Sequence, residues 1–371
     1  MRRLVHLEVL VSLLRSRLAP LGLITALLGA CGGGGVSSPA ASVEATGATT
    51  STPAVASPSA VASPVGEPDK LTVGLGYIPS VQFAPFYLAQ QEGWYAEAGL
   101  EVEFQNKIDP DLITLVGQGA IDVGIGDGTS VIPAVSQGIP IRYLATVYGQ
   151  SPNIVFAKAS SGITTAADLA GRKVGTPGRY GSGWIMLQAL LGSAGLTVDD
   201  VEIVEYPDFT QRIAVEQGAV DAATGFANNE PVLLELGGED AVVLRIDDIT
   251  PLPGPGLIAG VDTLQRRSEA IAAFVTTTLR AMDEITADPE LGLEAAITAV
   301  PELASARDAQ LAVLEATIET WTGSYQVNAG LGAVDRDGWS ATIEYLTTLG
   351  LVPNPVTVDD LIRDDLFRPG H

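Results

Sequence analysis

The sequence predicts an α/β fold divided into two lobes, and three observations carry that expectation. A strand, helix, strand unit is legible between Leu71 and Phe104. Short apolar runs that lead through small residues into helical periodicity recur as far as Val261. The chain beyond Pro68 is also long enough to build two modest hydrophobic cores.

The first unit sets the pattern. Leu71 to Leu75 is a short apolar-rich run bounded by Gly76 and Pro79, as expected of a buried strand. From Pro85 to about Tyr95, the residues Phe86, Leu88, Ala89, Trp94 and Tyr95 make an apolar stripe of helical period, with Pro85 suited to the first turn. Gly93 and Gly99 punctuate it, and Leu100 to Phe104 alternates Leu, Val and Phe with two Glu as a half-buried strand. Ligands of open α/β sheets sit outside the carboxyl ends of strands, which places Tyr77, Ser80, Gln82 and Phe83 at a cleft.

The order Y-I-P-S-V-Q-F-A-P-F-Y, helix, E-G-W-Y-A-E-A-G-L-E-V resembles the solute-binding proteins of ABC importers, in the branch related to thiamin-pyrimidine synthases. The resemblance runs from about Asp69 to the last helices. It implies a type II periplasmic-binding-protein fold, with two α/β lobes joined by two crossing segments and closing on a small ligand. It also implies an ABC permease subunit as partner, and a monomer is expected. On this reading residues 1–30 are a lipoprotein signal peptide and 31–68 a disordered tether. Residues 69–158 begin the first lobe, 159–255 form the second, and 256–371 return to the first as helices.

The amino-terminal segment supports an extracytoplasmic location. Arg2 and Arg3, an apolar stretch broken by Arg15 and Arg17, and the run Leu18 to Leu28 read as a secretory leader too short and broken to span a membrane. It ends Leu28-Gly29-Ala30-Cys31, which resembles a lipobox, so Cys31 is the expected lipidation site and the lipid the link to the cell membrane. An ordinary cleaved leader with an incidental cysteine is the alternative. From Gly32 to Pro68 the composition of Gly, Ser, Ala, Thr, Pro and Val cannot form a core and reads as a flexible spacer.

Composition excludes several functions. The formal charge of −24 repels nucleic acid and disfavours strongly anionic ligands. His6 lies in the leader and His371 ends the chain, and Cys31 is the only cysteine. No internal disulfide, Ser-His-Asp triad, Cys-His pair or His-based zinc site can therefore be built in the folded part. The synthases of the resemblance use an active-site histidine and a pyridoxal-binding lysine, and the chain lacks the former. No enzyme activity, cofactor or metal is expected.

Further candidates follow in chain order. Ile121 to Gly126 is a strand that runs into Asp127-Gly128-Thr129-Ser130, where Thr129 or Ser130 is placed to cap the helix Val131 to Gln137. Asp127 and Thr129 face the cleft, cap the helix, or do both. Ile141 to Tyr148 and Asn153 to Lys158 are further strands, and Ala159-Ser160-Ser161-Gly162 reads as the crossing into the second lobe. Asp168-Leu169-Ala170-Gly171-Arg172-Lys173-Val174-Gly175 resembles the segment that opens that lobe in solute-binding proteins. The stretch G-T-P-G-R-Y-G-S-G-W from Gly175 to Trp184 is a glycine-rich turn before a helix. It matches neither a P-loop nor G-x-G-x-x-G, and it is read as a ligand loop carrying Arg179, Tyr180, Ser182 and Trp184.

The strand Val201 to Tyr206 leads to Phe209, and the strand Ala219 to Thr224 ends in Gly225-Phe226-Ala227-Asn228-Asn229-Glu230-Pro231. Asn228, Asn229 and Glu230 supply donors and acceptors for the edge of a heterocycle, as does a similar N-E-P turn in the resemblance. A plain turn capping the next helix remains the alternative. Leu257 to Val261 is the strand returning to the first lobe, followed by helices in which Trp321, Tyr325 and Trp339 are core or lobe surface.

Tyr77, Phe83, Tyr148, Tyr180, Trp184, Phe209 and Phe226 make the candidate cleft aromatic in a chain only 6% aromatic, which suits a flat ring that stacks. The resemblance offers two such ligands, riboflavin and thiamin pyrimidine precursors. Riboflavin is preferred, because the aromatic set is large and only Arg179 brings a cation. An enzyme acting on a pyrimidine, running on Asp127, Glu230 and lysines, and a sensory binding module are the rival readings.

Overall fold

The computed structural model describes residues 67–106, 111–247 and 252–366, all within one compact unit. The expected signal peptide, Cys31 and nearly all of the tether lie outside the described residues. Among the described residues, one five-stranded sheet contains β1 (Asp69–Gly74), β2 (Leu100–Gln105), β3 (Val123–Gly126), β4 (Ile141–Thr146) and β10 (Gly256–Gly260). The other contains β5 (Asn153–Lys158), β6 (Lys173–Thr176), β7 (Glu202–Glu205), β8 (Ala222–Phe226) and β9 (Ala241–Arg245).

The two sheets share one plan. Their orders are β2-β1-β3-β10-β4 and β7-β6-β8-β5-β9. In each, three parallel strands are followed by one inserted antiparallel strand, β10 between β3 and β4 and β5 between β8 and β9. Each inserted strand arrives from the other lobe, so the chain crosses twice, once between β4 and β5 and once between β9 and β10. The expected crossing at 159–162 is therefore displaced. Asn153 to Lys158 already pairs in the second sheet, and Ala159–Ser161 is a 3-10 turn beyond it. The small residues that suggested a linker serve a tight turn instead.

Burial explains which runs became strands. Ile154, Val155, Phe156 and Ala157 are all buried, the continuous apolar run expected of a strand covered on both faces. The edge strand β2 turns Glu101 and Glu103 to solvent between Val102 and Phe104. Leu71 and Val73 point into the first-lobe core, where Phe274 stacks on Tyr95 with centroids 5.2 Å apart and on Phe86 at 6.2 Å. Phe274 belongs to the long helix Val261–Ala287, whose ladder breaks at Arg267, where the guanidinium bonds Asp122 at 2.8 Å.

The carboxyl-terminal helices do more than thicken the first lobe. Trp339 in the helix Arg336–Thr348 meets Tyr143 of β4 edge-on at 4.7 Å. On the same helix the Tyr345 hydroxyl donates to Ala189 O in the second lobe at 3.1 Å. Trp321 and Trp339 are core residues, and Tyr325 is exposed. The crossing segments are tightly seated. A Cβ at Gly254 would fall 2.2 Å from Tyr148 O, and one at Gly149 would fall 2.3 Å from Gly323 N.

Candidate functional site

The carboxyl ends of β1, β3, β6 and β8 converge on one cavity of about 280 Å³ between the lobes, with a mainly apolar wall. The first lobe contributes Tyr77 from the turn after β1, together with Gln82 and Phe83 from the 3-10 turn Val81–Phe83, which Ser80 caps by accepting from Gln82 N. Asp127 follows β3, and Tyr148 stands on the first crossing segment. From the second lobe come Tyr180, Ser182 and Trp184 at the start of the helix Gly181–Ser193, Phe209 after β7, Phe226 at the end of β8, and Asn229 and Glu230 just beyond it. The glycine-rich turn and the N-E-P turn thus face one hollow shared with Tyr77.

Four expected residues lie outside that wall, the first being Ser80, which serves as the cap of the Val81–Phe83 turn. Thr129 is buried behind it and donates its hydroxyl to Asp127 Oδ1 at 2.7 Å. Asp127 is the cap of the helix Gly128–Ser136, accepting from Ser130 N, rather than Thr129 or Ser130. Arg179 turns outward, where it pairs with Glu205 at 3.1 Å and covers the Trp184 ring at 5.3 Å from its centroid. Asn228 enters the seam between lobes, donating to Gln82 Oε1 at 3.2 Å and to Thr317 Oγ1 at 2.8 Å.

Asn153, Thr176, Gln211 and Thr224 also line the cavity, and none of them stands out as a site residue in the sequence. Each is a single polar residue whose place depends on strand pairing between distant segments. The nearest available signal was Gln211, which opens the helix Gln211–Glu216 just past a strand end. Asn153 donates to Asp127 Oδ2 at 3.1 Å and accepts from Ser182 at 3.3 Å, so a buried amide bridges the two lobes.

Electrostatics follow from this enclosure. Burial pushes the Glu230 carboxyl above its ordinary value, although Phe226 N donates to it at 2.7 Å. Burial first, and the nearby Glu230 second, push the Tyr77 phenol up, and burial alone does the same to Tyr148. These phenols stay neutral near pH 7 and offer hydroxyls and ring faces. The wall carries carboxylates, amides and hydroxyls but no lysine, arginine or histidine.

A family model described as NMT1/THI5 like matches residues 80–291. The chain is 32% identical over 335 residues to the riboflavin-binding protein RibY of Chloroflexus aurantiacus, covering 88% of this chain and 95% of that one. It is 28% identical over 240 residues to 4-amino-5-hydroxymethyl-2-methylpyrimidine phosphate synthase of Legionella pneumophila, covering 63% and 75%. It is 26% identical over 301 residues to the formylaminopyrimidine-binding protein of Halalkalibacterium halodurans, covering 79% and 89%. Among solved structures, the alkanesulfonate-binding protein SsuA of Xanthomonas axonopodis pv. citri matches with a TM-score of 0.61 at 19% identity, covering 81% and 99%. That likeness is one of fold, the two-lobed periplasmic-binding-protein architecture.

Proposed function

Because the chain belongs to the NMT1/THI5-like family, we propose that it is the solute-binding component of an ABC importer, capturing riboflavin between its lobes for a permease. The observation that carries this reading is the shared cavity, where Tyr77, Trp184 and Phe209 come from both lobes and surround one hollow. A flat ring held there gains apolar contact and stacking, offset by the cost of closing the lobes. Micromolar binding requires roughly 8 kcal/mol. Lipidation of Cys31 would hold the domain at the extracytoplasmic face of the membrane, where a monomer meets its permease.

We read the site as binding without turnover. The folded part holds no histidine before His371 and no second cysteine, so proton transfer would fall to Glu230 and Asp127 alone. Asp127 is occupied as a helix cap and as the partner of Asn153. A second reading, capture of a formylaminopyrimidine, has one observation in its favour. The cavity of about 280 Å³ lies just under the usual range of roughly 300–1,000 Å³ for ligand pockets, which suits a smaller ring.

A thermal-shift screen with riboflavin, hydroxymethylpyrimidine, formylaminopyrimidine, thiamin and taurine separates these readings. Riboflavin should raise Tm most. A clear response to a pyrimidine with none to riboflavin would replace the ligand and keep the class. Mass analysis of the recovered ligand should show it unchanged, and a product would overturn the binding-only reading.

A further inference from the structure

The two halves of the cavity differ in free hydrogen-bonding capacity. On the first-lobe side, Leu75, Leu112 and Ile125 supply apolar wall, and the acceptor oxygens of the Asp127 and Gln82 side chains already have partners. Asp127 Oδ1 accepts from Ser130 N and from Thr129, its Oδ2 accepts from Asn153, and Gln82 Oε1 accepts from Asn228.

The second-lobe side differs. Gln211 borders the cavity and is 2% exposed, with its amide oriented because Nε2 donates to Thr224 O at 3.3 Å. Its Oε1 has no hydrogen-bond partner among the described residues. Beside it, Thr224 donates its hydroxyl to Thr176 at 3.3 Å, and Thr176 donates to Gly178 O at 3.1 Å. Both hydroxyl protons are thus engaged, leaving lone pairs. In the wall formed by Gln211, Thr176 and Thr224, the Gln211 Oε1 is therefore the buried acceptor that no donor among the described residues answers. A buried acceptor without a partner is destabilising, and a bound donor removes that penalty.

We infer that Gln211 is a specificity-determining residue that accepts a hydrogen bond from a ring N–H of the ligand. The flat molecule therefore lies with its hydrogen-bonding edge toward the second lobe and its hydrocarbon edge toward Leu112 and Ile125. This orientation rests on the functional reading above. In riboflavin the donor is the imide N–H of the pyrimidinedione ring, and the dimethylbenzene edge takes the apolar side.

The test compares riboflavin with its N3-methyl derivative by titration of flavin fluorescence, on the wild type and on Gln211→Met. The wild type should bind the methylated compound at least about tenfold more weakly, because a site built to hydrogen-bond a group rejects an analogue lacking it. In Gln211→Met the two compounds should differ by less than about threefold, since no acceptor remains. Equal wild-type affinities, or an unchanged ratio in Gln211→Met, would overturn the inference and leave the functional reading standing. If Gln211→Met does not fold, the wild-type ratio decides. Absence of wild-type riboflavin binding would overturn the functional reading and this inference together.

Discussion

The ring of Tyr77 in the first lobe meets the ring of Phe209 in the second edge-on, with centroids 5.1 Å apart and planes inclined at 72°. Phe209 reaches that position at φ +59°, the one non-glycine residue in the left-handed region among those described. A bulky residue there stores about 1–3 kcal/mol of backbone strain, maintained because the ring closes the cleft. Phe209→Ala and Phe209→Gly should both weaken ligand binding by about tenfold, from lost edge-to-face contact and apolar area. They should differ in stability, with Phe209→Gly melting higher than Phe209→Ala because only glycine adopts that backbone without strain. Equal melting temperatures would remove strain from the account.

The Arg179 guanidinium lies over the Trp184 ring, yet only Trp184 lines the cavity. Trp184→Ala removes a ring from the cavity wall and should weaken riboflavin by about tenfold or more. Arg179 stands outside the wall and pairs with an exposed Glu205, an interaction worth about 0–1 kcal/mol. Arg179→Ala should change affinity less than about threefold, and calorimetric titration of both variants checks the contrast.

The buried Glu230 makes a prediction of definite sign. Its carboxyl is raised above the ordinary value of 4.5 by burial, so the folded chain holds the proton to higher pH than the unfolded chain. Stability from this group is complete below that value and declines as pH rises through the raised one. Glu230→Gln keeps an acceptor for Phe226 N and abolishes the titration, so its Tm should fall less than that of the wild type between pH 4.5 and about pH 7. Asp168 acts in a separate window. Hydrogen bonds from Thr164 and Thr165 lower it to about 2, and its contribution is present above 3.8 and lost as pH falls.

Asn153 joins Asp127 of the first lobe to Ser182 of the second. Asn153→Ala leaves the buried Asp127 Oδ2 without that donor and should lower unfolding stability by about 1–3 kcal/mol in a urea titration. A loss below about 0.5 kcal/mol would mean that solvent reaches this bridge.

What was legible in the chain was local. The unit from Leu71 to Phe104, with Pro85 in the first helical turn, carries its strand and helix periods on its face, and the candidate loops follow from the ends of strands. Partners that depend on distant pairing were not legible. Asn153 sits on a strand that inserts antiparallel into the second sheet, a fact set by β8 and β9 rather than by its neighbours in sequence. The misplaced crossing has the same origin. Arg179 misled because a cation in a glycine-rich turn looks like a ligand group until Glu205, on a separate strand, is seen beside it. Phe209 was expected in the cleft for its ring, whereas its strained backbone is invisible in residue type.

The most direct measurement is a crystal structure of the protein grown with riboflavin. The account predicts one isoalloxazine ring between Tyr77 and Trp184, with its imide edge within hydrogen-bonding distance of Gln211. Flavin bound elsewhere on the surface, or a cleft that stays free of flavin at saturating concentration, would contradict the claim that the two lobes form a single vitamin site.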